Sequence, residues 1–361
     1  SFNSAGGSDV DSITQDYNSP ITPPANPTRA GYDFTGWYPE LPATMPAENA
    51  NYLAQWTIAF EFSDNDNPPE TITLTKYTGQ GGAVTIPDIL KEKQVTSIGN
   101  KAFYQKTGVT SVVIPDSVTS IGGQAFEYCS SLGSVVIPDS VTSIGGQAFR
   151  GCSGLASVNI GSGVNSIGNQ AFDGCSSLSS FTVAEANTAY CSQDGVLFDE
   201  EKTTLLLFPA GKSGNYSIPA GVKSIMDKAF DGCSGLSSVV IPDSVTSIGL
   251  QAFYGCSGLN SVNIGSGVNS IGNLAFYDCS GLSSFTVAAA NTAYSSQDGV
   301  LFNQNKTTLL QFPAGKSGNY SIPTGVTSIG NWAFYGCSSL SRVVIPNSVN
   351  SIGYYAFEGC T

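Results

Sequence analysis

Nine cysteines, a scatter of carboxylates and two Gly-Lys-Ser tripeptides are the residues in this chain with chemical potential. The cysteines are Cys129, Cys152, Cys175, Cys191, Cys233, Cys256, Cys279, Cys337 and Cys360. A row of thiols can ligate metal or close disulfides, but all of these except Cys191 recur at one fixed place in a repeating pattern. That placement reads as small apolar side chains in a core. Successive repeats would bring them within disulfide reach, but side chains pointing the same way rarely meet with the required dihedral. Cys191 stands apart, and one long repeat later its place is taken by Ser295. Histidine is absent, which removes the Ser-His-Asp triad, the Cys-His pair and His-ligated zinc together. The acids Asp116, Asp139 and Asp243 fall on turns at least one repeat apart, without the paired carboxylates of a glycosidase cleft. Ala210-Gly211-Lys212-Ser213 and Ala314-Gly315-Lys316-Ser317 contain the end of a phosphate loop. The glycine required five residues earlier is Leu206 or Leu310 instead. Ser63-Asp64-Asn65-Asp66-Asn67-Pro68-Pro69-Glu70 is acidic enough to suggest calcium, but Pro69 stands where an EF-hand loop needs glycine. A polar turn is the better reading.

These residues must be held by a repeat. The stretch from Val135 to Cys152, Val-Val-Ile-Pro-Asp-Ser-Val-Thr-Ser-Ile-Gly-Gly-Gln-Ala-Phe-Arg-Gly-Cys, recurs with small edits to the end of the chain. Its Ala-Phe pair places Phe103, Phe126, Phe149, Phe172, Phe230, Phe253, Phe276, Phe334 and Phe357, mostly 23 residues apart. A period in the twenties marks a solenoid, in which one rung cannot bury its apolar face alone. Within a rung the inward positions are Leu132, Val135, Ile137, Val141, Ile144, Ala148, Phe149 and Cys152. Val135 and Ile137 alternate as in a half-buried strand, and Pro138 ends it. Asp139-Ser140 turns the chain, Val141 and Ile144 point inward, and Gly145-Gly146 makes a second corner. The Gln-Ala-Phe-x-x-Cys arm is too short for a helix and is expected as a single helical or 3₁₀ turn.

The spacing Leu132-x-x-Val135-x-Ile137 opens like the general leucine-rich repeat. The remainder, I-P-x-x-V-x-x-I-x-x-x-A-F-x-x-C-x-x-L, resembles the BspA-like leucine-rich repeats of bacterial cell-surface proteins, over about residues 70–361. The resemblance implies a curved, right-handed solenoid on an extracellular protein, often assigned to adhesion. Residues 1–57 lack the pattern. Their Gly31-Tyr32-Asp33-Phe34-Thr35-Gly36-Trp37 core and Ala54-Gln55-Trp56-Thr57 ending resemble the Listeria–Bacteroides repeat. That implies a small β-grasp-like module with Tyr32, Phe34, Trp37, Tyr52 and Trp56 as its core. The fold class expected is mainly β: a leucine-rich-repeat solenoid of 23-residue rungs with two expanded rungs, preceded by this module.

Three segments follow: 1–57 as the module, 58–97 as linker and N-terminal cap, and 98–361 as the array. In the cap, Phe60 with Phe62 and Ile72 with Leu74 suggest a hairpin, and Val84-Thr85-Ile86-Pro87 is the first rung strand. A longer period of 104 residues overlies the short one, as Cys129 to Cys233 and Cys233 to Cys337 show. Each long unit carries an expanded stretch, 181–222 and 285–326. Asp194–Phe198 and Thr204–Pro209 read there as two strands joined by a turn, repeated at Asp298–Phe302 and Thr308–Pro313. The array stops at Gly359-Cys360-Thr361, partway through a rung, which suggests a piece of a longer surface protein.

Net charge is −13 with 11% charged residues. Such an acidic chain argues against nucleic acid and anionic membrane surfaces. No run of 18 apolar residues is present to insert into a membrane. No cofactor or metal is called for. The strand face, with Val113, Val136, Asn159, Thr182, Val240, Asn263, Thr286 and Val344 outward beside a column of serines, lacks binding anchors. The opposite arm is richer. Tyr104, Tyr128, Tyr254, Tyr277, Trp332, Tyr335, Tyr354 and Tyr355 lie next to the buried phenylalanines and form the candidate interaction surface. The function expected is a non-enzymatic, adhesin-like interaction protein of the bacterial cell surface, with an extracellular protein or glycan as partner. The alternatives are a structural stalk and a glycan-binding module.

Overall fold

In the computed structural model, which describes residues 1–360, every regular element is a strand. Thr361, where the array stops, lies outside the described residues. Contacts divide the chain into two compact units. The first holds Ser1–Cys152 and Ser166–Phe172; the second holds Ser153–Asn165 and the chain from Asp173 on.

The first unit begins with a three-stranded sheet in which Tyr52–Ile58 lies between Phe2–Asn3, parallel to it, and Tyr32–Tyr38, antiparallel. A bulge between Phe34 and Gly36 shifts the register, and Gly36 takes a φ of 137° there. Four of the five aromatic side chains expected as core, Phe34, Trp37, Tyr52 and Trp56, form one cluster, while the Tyr32 ring lies under Arg29 at 4.1 Å. Trp37 lies 4.9 Å from Phe2 and 5.2 Å from Phe34, and Phe34 lies 5.6 Å from Trp56. Phe2, at the start of the chain, is a member that sequence reasoning left out.

The expected hairpin follows. Phe60–Asp64 pairs antiparallel with Thr71–Tyr77, setting Phe60 opposite Tyr77 and Phe62 opposite Leu74. Thr71–Tyr77 then pairs parallel with Lys93–Ile98, and the same sheet continues through Ser120–Ile121, Ser143–Ile144 and Ser166–Ile167. Tyr77 does what a rung phenylalanine does. Its N–H donates to Ala102 O, and its ring stacks on Phe103 at 5.0 Å. A second parallel column starts with Gly82–Thr85 against Val109–Val113.

Each ordinary rung has a longer strand, a two-residue strand and the Ala-Phe arm. The arm differs from the expected helical turn. Gln124 and Tyr128 have φ of 58° and 62°, so two left-handed residues, four apart, bracket residues 125–127. Alternate N–H groups then point in different directions. Ala125, Glu127 and Cys129 donate within the rung, to Gly122, Gln124 and Phe126. Gln124, Phe126 and Tyr128 donate to the next rung, at Gly146, Ala148 and Arg150. A helix would close all these bonds on itself; this arm closes half of them on its neighbour.

Phenylalanine rings stack along the arms. In the first unit Phe103–Phe126 and Phe126–Phe149 are 4.7 and 5.1 Å apart, the latter with planes 5° from parallel. In the second, Phe230–Phe253 and Phe253–Phe276 are 4.5 and 5.2 Å apart. This spacing is that of neighbouring strands, ~4.8 Å, so ring stacking and the backbone ladder share one period.

In the second unit the expanded stretches are three-stranded meanders rather than hairpins. Tyr190–Gln193 pairs with Val196–Asp199, which pairs with Thr204–Leu207, both antiparallel. Thr204–Leu207 then runs parallel to Ser224–Ile225, rejoining the short-strand column. Tyr294–Gln297, Val300–Asn303 and Thr308–Gln311 repeat the arrangement in the same register. The first strand of each meander was not anticipated. Its sequences, Tyr-Cys-Ser-Gln and Tyr-Ser-Ser-Gln, carry little apolar alternation. What anchors it is a buried asparagine. Asn187 Nδ2 donates to Gly161 O and Val164 O, while its Oδ1 accepts from Ala189 and Tyr190 N–H. Asn291 makes the equivalent four bonds.

The recurring thiols lie inside the array. Seven cysteines are buried, and Cys191 and Cys360 are half-buried. Most arm thiols donate to the phenylalanine carbonyl one rung back, while Cys337 reaches Tyr335 O of its own rung at 3.7 Å. Cys129 reaches Phe103 O at 3.1 Å, Cys256 reaches Phe230 O at 3.0 Å, and Cys279 reaches Phe253 O at 3.1 Å. Burial pushes the Cys129 and Cys337 thiols up from 9.0 to about 12. These are small core side chains with one weak hydrogen bond, not reactive nucleophiles.

Two measurements test this packing. Phe253→Ala removes a ring with 0% exposure from between two others and should cost ~3–5 kcal/mol. Val240→Thr on the exposed strand face should stay within ~0.5 kcal/mol; urea unfolding decides both. For the thiols, folded values above the unfolded 9.0 mean that the folded chain retains protons the unfolded chain releases. Their stabilisation is whole below about pH 9 and is lost as the pH rises to about 12. The urea midpoint should therefore fall through that window, and a thiol reagent at neutral pH should reach Cys191 and Cys360 while sparing the seven buried thiols.

Candidate interaction surface

The arm places an aromatic side chain on its outer side wherever Tyr follows the buried Phe. In the second unit Tyr254 and Tyr277 do so one rung apart, and their rings stack at 5.4 Å with planes 7° apart. Tyr335 stands 58 residues beyond Tyr277, with an expanded stretch between, yet their rings are 3.9 Å apart. That stretch carries Pro313 after its arm phenylalanine, Phe312, so no tyrosine intervenes. The outcome is one continuous stack of three phenols. Burial and the neighbouring Tyr335 push the Tyr277 phenol above the ordinary range, so it remains a neutral hydroxyl.

Other expected members are placed differently. Trp332 and Tyr355 form a separate pair at 6.2 Å, both in the left-handed region with φ of 53° and 55°. Bulky residues rarely hold that conformation, which costs roughly 1–2 kcal/mol. Tyr354 is 79% exposed and Tyr355 62%. In the first unit Tyr104 and Tyr128 meet edge to face at 6.2 Å, and Lys101 Nζ lies 5.6 Å from the Tyr104 ring. Tyr128 is held at φ 62° where most rungs carry glycine. Its ring covers Gly151, where an added Cβ would lie 2.4 Å from Tyr128 Cδ1.

The strand face is bland. Val113 and Val136 are exposed along the first unit's strands, and Val240, Asn263 and Thr286 along the second's. Ser238 Oγ bonds Asn215 Oδ1 at 2.8 Å, so the serine column is partly engaged with its own neighbours. The Gly-Lys-Ser lysines act as ties. Lys212 Nζ donates to Asp194 O and Lys316 Nζ to Asp298 O, each at 2.8 Å, pinning one end of a meander to the following turn. The acidic turn at 63–70 is held by Asn65, which bonds Thr71, Thr73 and Thr96, and Asp64 pairs with Lys93 at 2.8 Å. Asp243 Oδ1 accepts the Ser266 N–H, which holds its carboxyl below the usual range. This is a charge used as a local cap.

Comparison with known proteins identifies the repeats. The BspA type leucine-rich-repeat pattern matches in six copies over residues 86–194, 208–317 and 312–361. The Listeria-Bacteroides repeat domain matches residues 1–52. A leucine-rich cell surface protein from Faecalibacterium prausnitzii is 26% identical, with 84% of this chain and 97% of that one covered and a TM-score of 0.35. A leucine-rich repeat protein from Bacteroides ovatus is 25% identical, covering 84% and 91%, with a TM-score of 0.43. A protein of Evansella cellulosilytica named as a membrane protein is 31% identical over 97 residues, 24% of this chain. The match spans only 15% of that relative's length. No helix among the described residues is long and apolar enough to cross a membrane.

Proposed function

This chain belongs to the BspA type leucine-rich-repeat family, and from that premise we propose that it is a non-enzymatic, adhesin-like interaction protein of the bacterial cell surface. Its partner is an extracellular macromolecule, and the tyrosine-bearing arm is the contact face. The family supplies the surface setting and the protein-interaction role. The observation that carries the choice of face is the Tyr254–Tyr277–Tyr335 stack. It is a rigid aromatic surface with hydroxyl edges, the side-chain type that dominates binding energy at interfaces. The division into module 1–57, cap 58–97 and array from 98 belongs to the same reading: the first two support and end the third.

A structural spacer remains the second reading, favoured by the short, nearly neutral strand face. Screening the chain against extracellular-matrix proteins and host-cell glycoproteins separates the two. The adhesin reading expects a specific partner, and Tyr254→Ala with Tyr335→Ala should weaken it at least about tenfold while leaving unfolding unchanged. Undiminished binding by the double variant would remove the tyrosine face, and silence across the screen would leave the spacer.

A further inference from the structure

The residue two before the arm alanine forms a column with a regular task. Asn100 Oδ1 accepts the N–H of Gly123, one rung on, at 2.7 Å. In the second unit Asp227 Oδ1 does the same for Leu250 at 2.7 Å, and Asn331 Oδ1 for Tyr354 at 2.8 Å. In the first unit the column reads Asn100, Gly123, Gly146, Asn169. The two glycines have no side chain to offer. The N–H groups of Gly146 and Asn169 therefore have no partner among the described residues.

The missing side chains leave a groove of about 460 Å³. Gly123 and Gly146 form its floor. Asn100 and Asn169 stand at its ends, with Lys101, Gln124, Gln147 and Gln170 alongside. Those last four all occupy the left-handed region, with φ from 57° to 60°, in four successive rungs. The wall is also held from behind. Gln124 Nε2 donates to Glu127 Oε2 at 2.6 Å, and Glu127, 2% exposed, is paired with Arg150 at 3.3 Å. In the second unit the column carries Asp227, Leu250, Asn273, Asn331 and Tyr354, so every rung fills the position that is empty here.

We propose that this groove binds a neutral, hydroxyl-rich oligosaccharide. Gly146 on its floor and Asn169 at its end offer backbone donors, and its walls offer amides, which both donate and accept. A sugar hydroxyl also does both, so it can engage either surface. The lining holds one cation and no carboxylate, too little charge to select an anion in a chain of net −13. It holds no apolar pocket for a peptide anchor. The same polar set recurs at rung spacing, ~4.8 Å, which suits a polymer of like units. The proposal is separate from the tyrosine stack: its residues all lie in the first unit, and its variants leave Tyr254, Tyr277 and Tyr335 intact.

The test is the whole chain on an array of neutral and acidic oligosaccharides, followed by calorimetric titration of whichever sugar binds. Gly123→Asn and Gly146→Asn restore the residue native to neighbouring rungs. A Cβ there meets no backbone closer than 3.4 Å, so the melting temperature should hold. Each should weaken binding at least about tenfold, and Gln147→Ala, which leaves the floor open, several-fold. Should either asparagine variant melt early, Gln147→Ala carries the decision. Absence of any neutral ligand, binding confined to acidic sugars, or full affinity in properly folded groove variants would each overturn the proposal.

Discussion

No rung of this chain can satisfy its own backbone. The backbone of the Ala-Phe arm, left-handed at two points four residues apart, sends every second N–H out of the rung, to a carbonyl 22 residues on, as from Phe126 to Ala148 and from Phe253 to Ala275. A buried N–H without an acceptor costs ~1–3 kcal/mol, about twice what a typical hydrogen bond contributes. The arm is therefore stable only beside another arm. The phenylalanine stack and the thiol-to-carbonyl bonds follow the same spacing, so three kinds of interaction ask for one neighbour at one distance. Cooperativity between rungs is a property of the local backbone before side-chain packing is considered.

Much of this was legible in the sequence because the core is periodic. The 23-residue recurrence of Phe, the Val-x-Ile strand and the terminal Cys identified the inward face, and Phe149, Val135 and Cys152 all lie buried. Hydrophobic period carries no information about backbone hand, however. Gln124 and Gln147 are ordinary residues in a polar context, and nothing in their type announces φ near 58°. Glycine at the second left-handed position, as in Gly151 and Gly232, was the available clue. The meander strands at Tyr190–Gln193 and Tyr294–Gln297 were hidden for a related reason. A buried polar anchor, Asn187 or Asn291, sets them in place, and an isolated asparagine in a polar stretch looks like a loop.

The surface follows different rules from the core. Inside, substitutions between rungs are conservative because each side chain meets its own equivalent above and below. Outside, the arm varies freely: Tyr104, Arg150, Asp173, Asp231, Tyr254 and Tyr277 each follow the buried phenylalanine of their rung. The tyrosine identities were legible; that Tyr277 and Tyr335 would meet across an intervening stretch was not, since contact depends on Pro313 standing where a tyrosine otherwise would. The groove in the first unit was invisible for the opposite reason, as it is made by side chains that are missing.

The two meanders are near-identical in shape but differ in formal charge. Asp199 accepts from Thr204 N–H at 2.8 Å and from the Thr203 hydroxyl; Asn303 accepts from Thr308 N–H at 2.9 Å and turns its amide nitrogen to Thr307. Cys191 donates to Asp199 O as Ser295 does to Asn303 O. Glu185, Asp199, Glu200 and Glu201 correspond to Ala289, Asn303, Gln304 and Asn305. The two copies thus share one scaffold while differing by four negative charges. An approaching cationic surface would be drawn to the earlier copy alone, and only inside the ~8 Å over which physiological salt lets such a field persist.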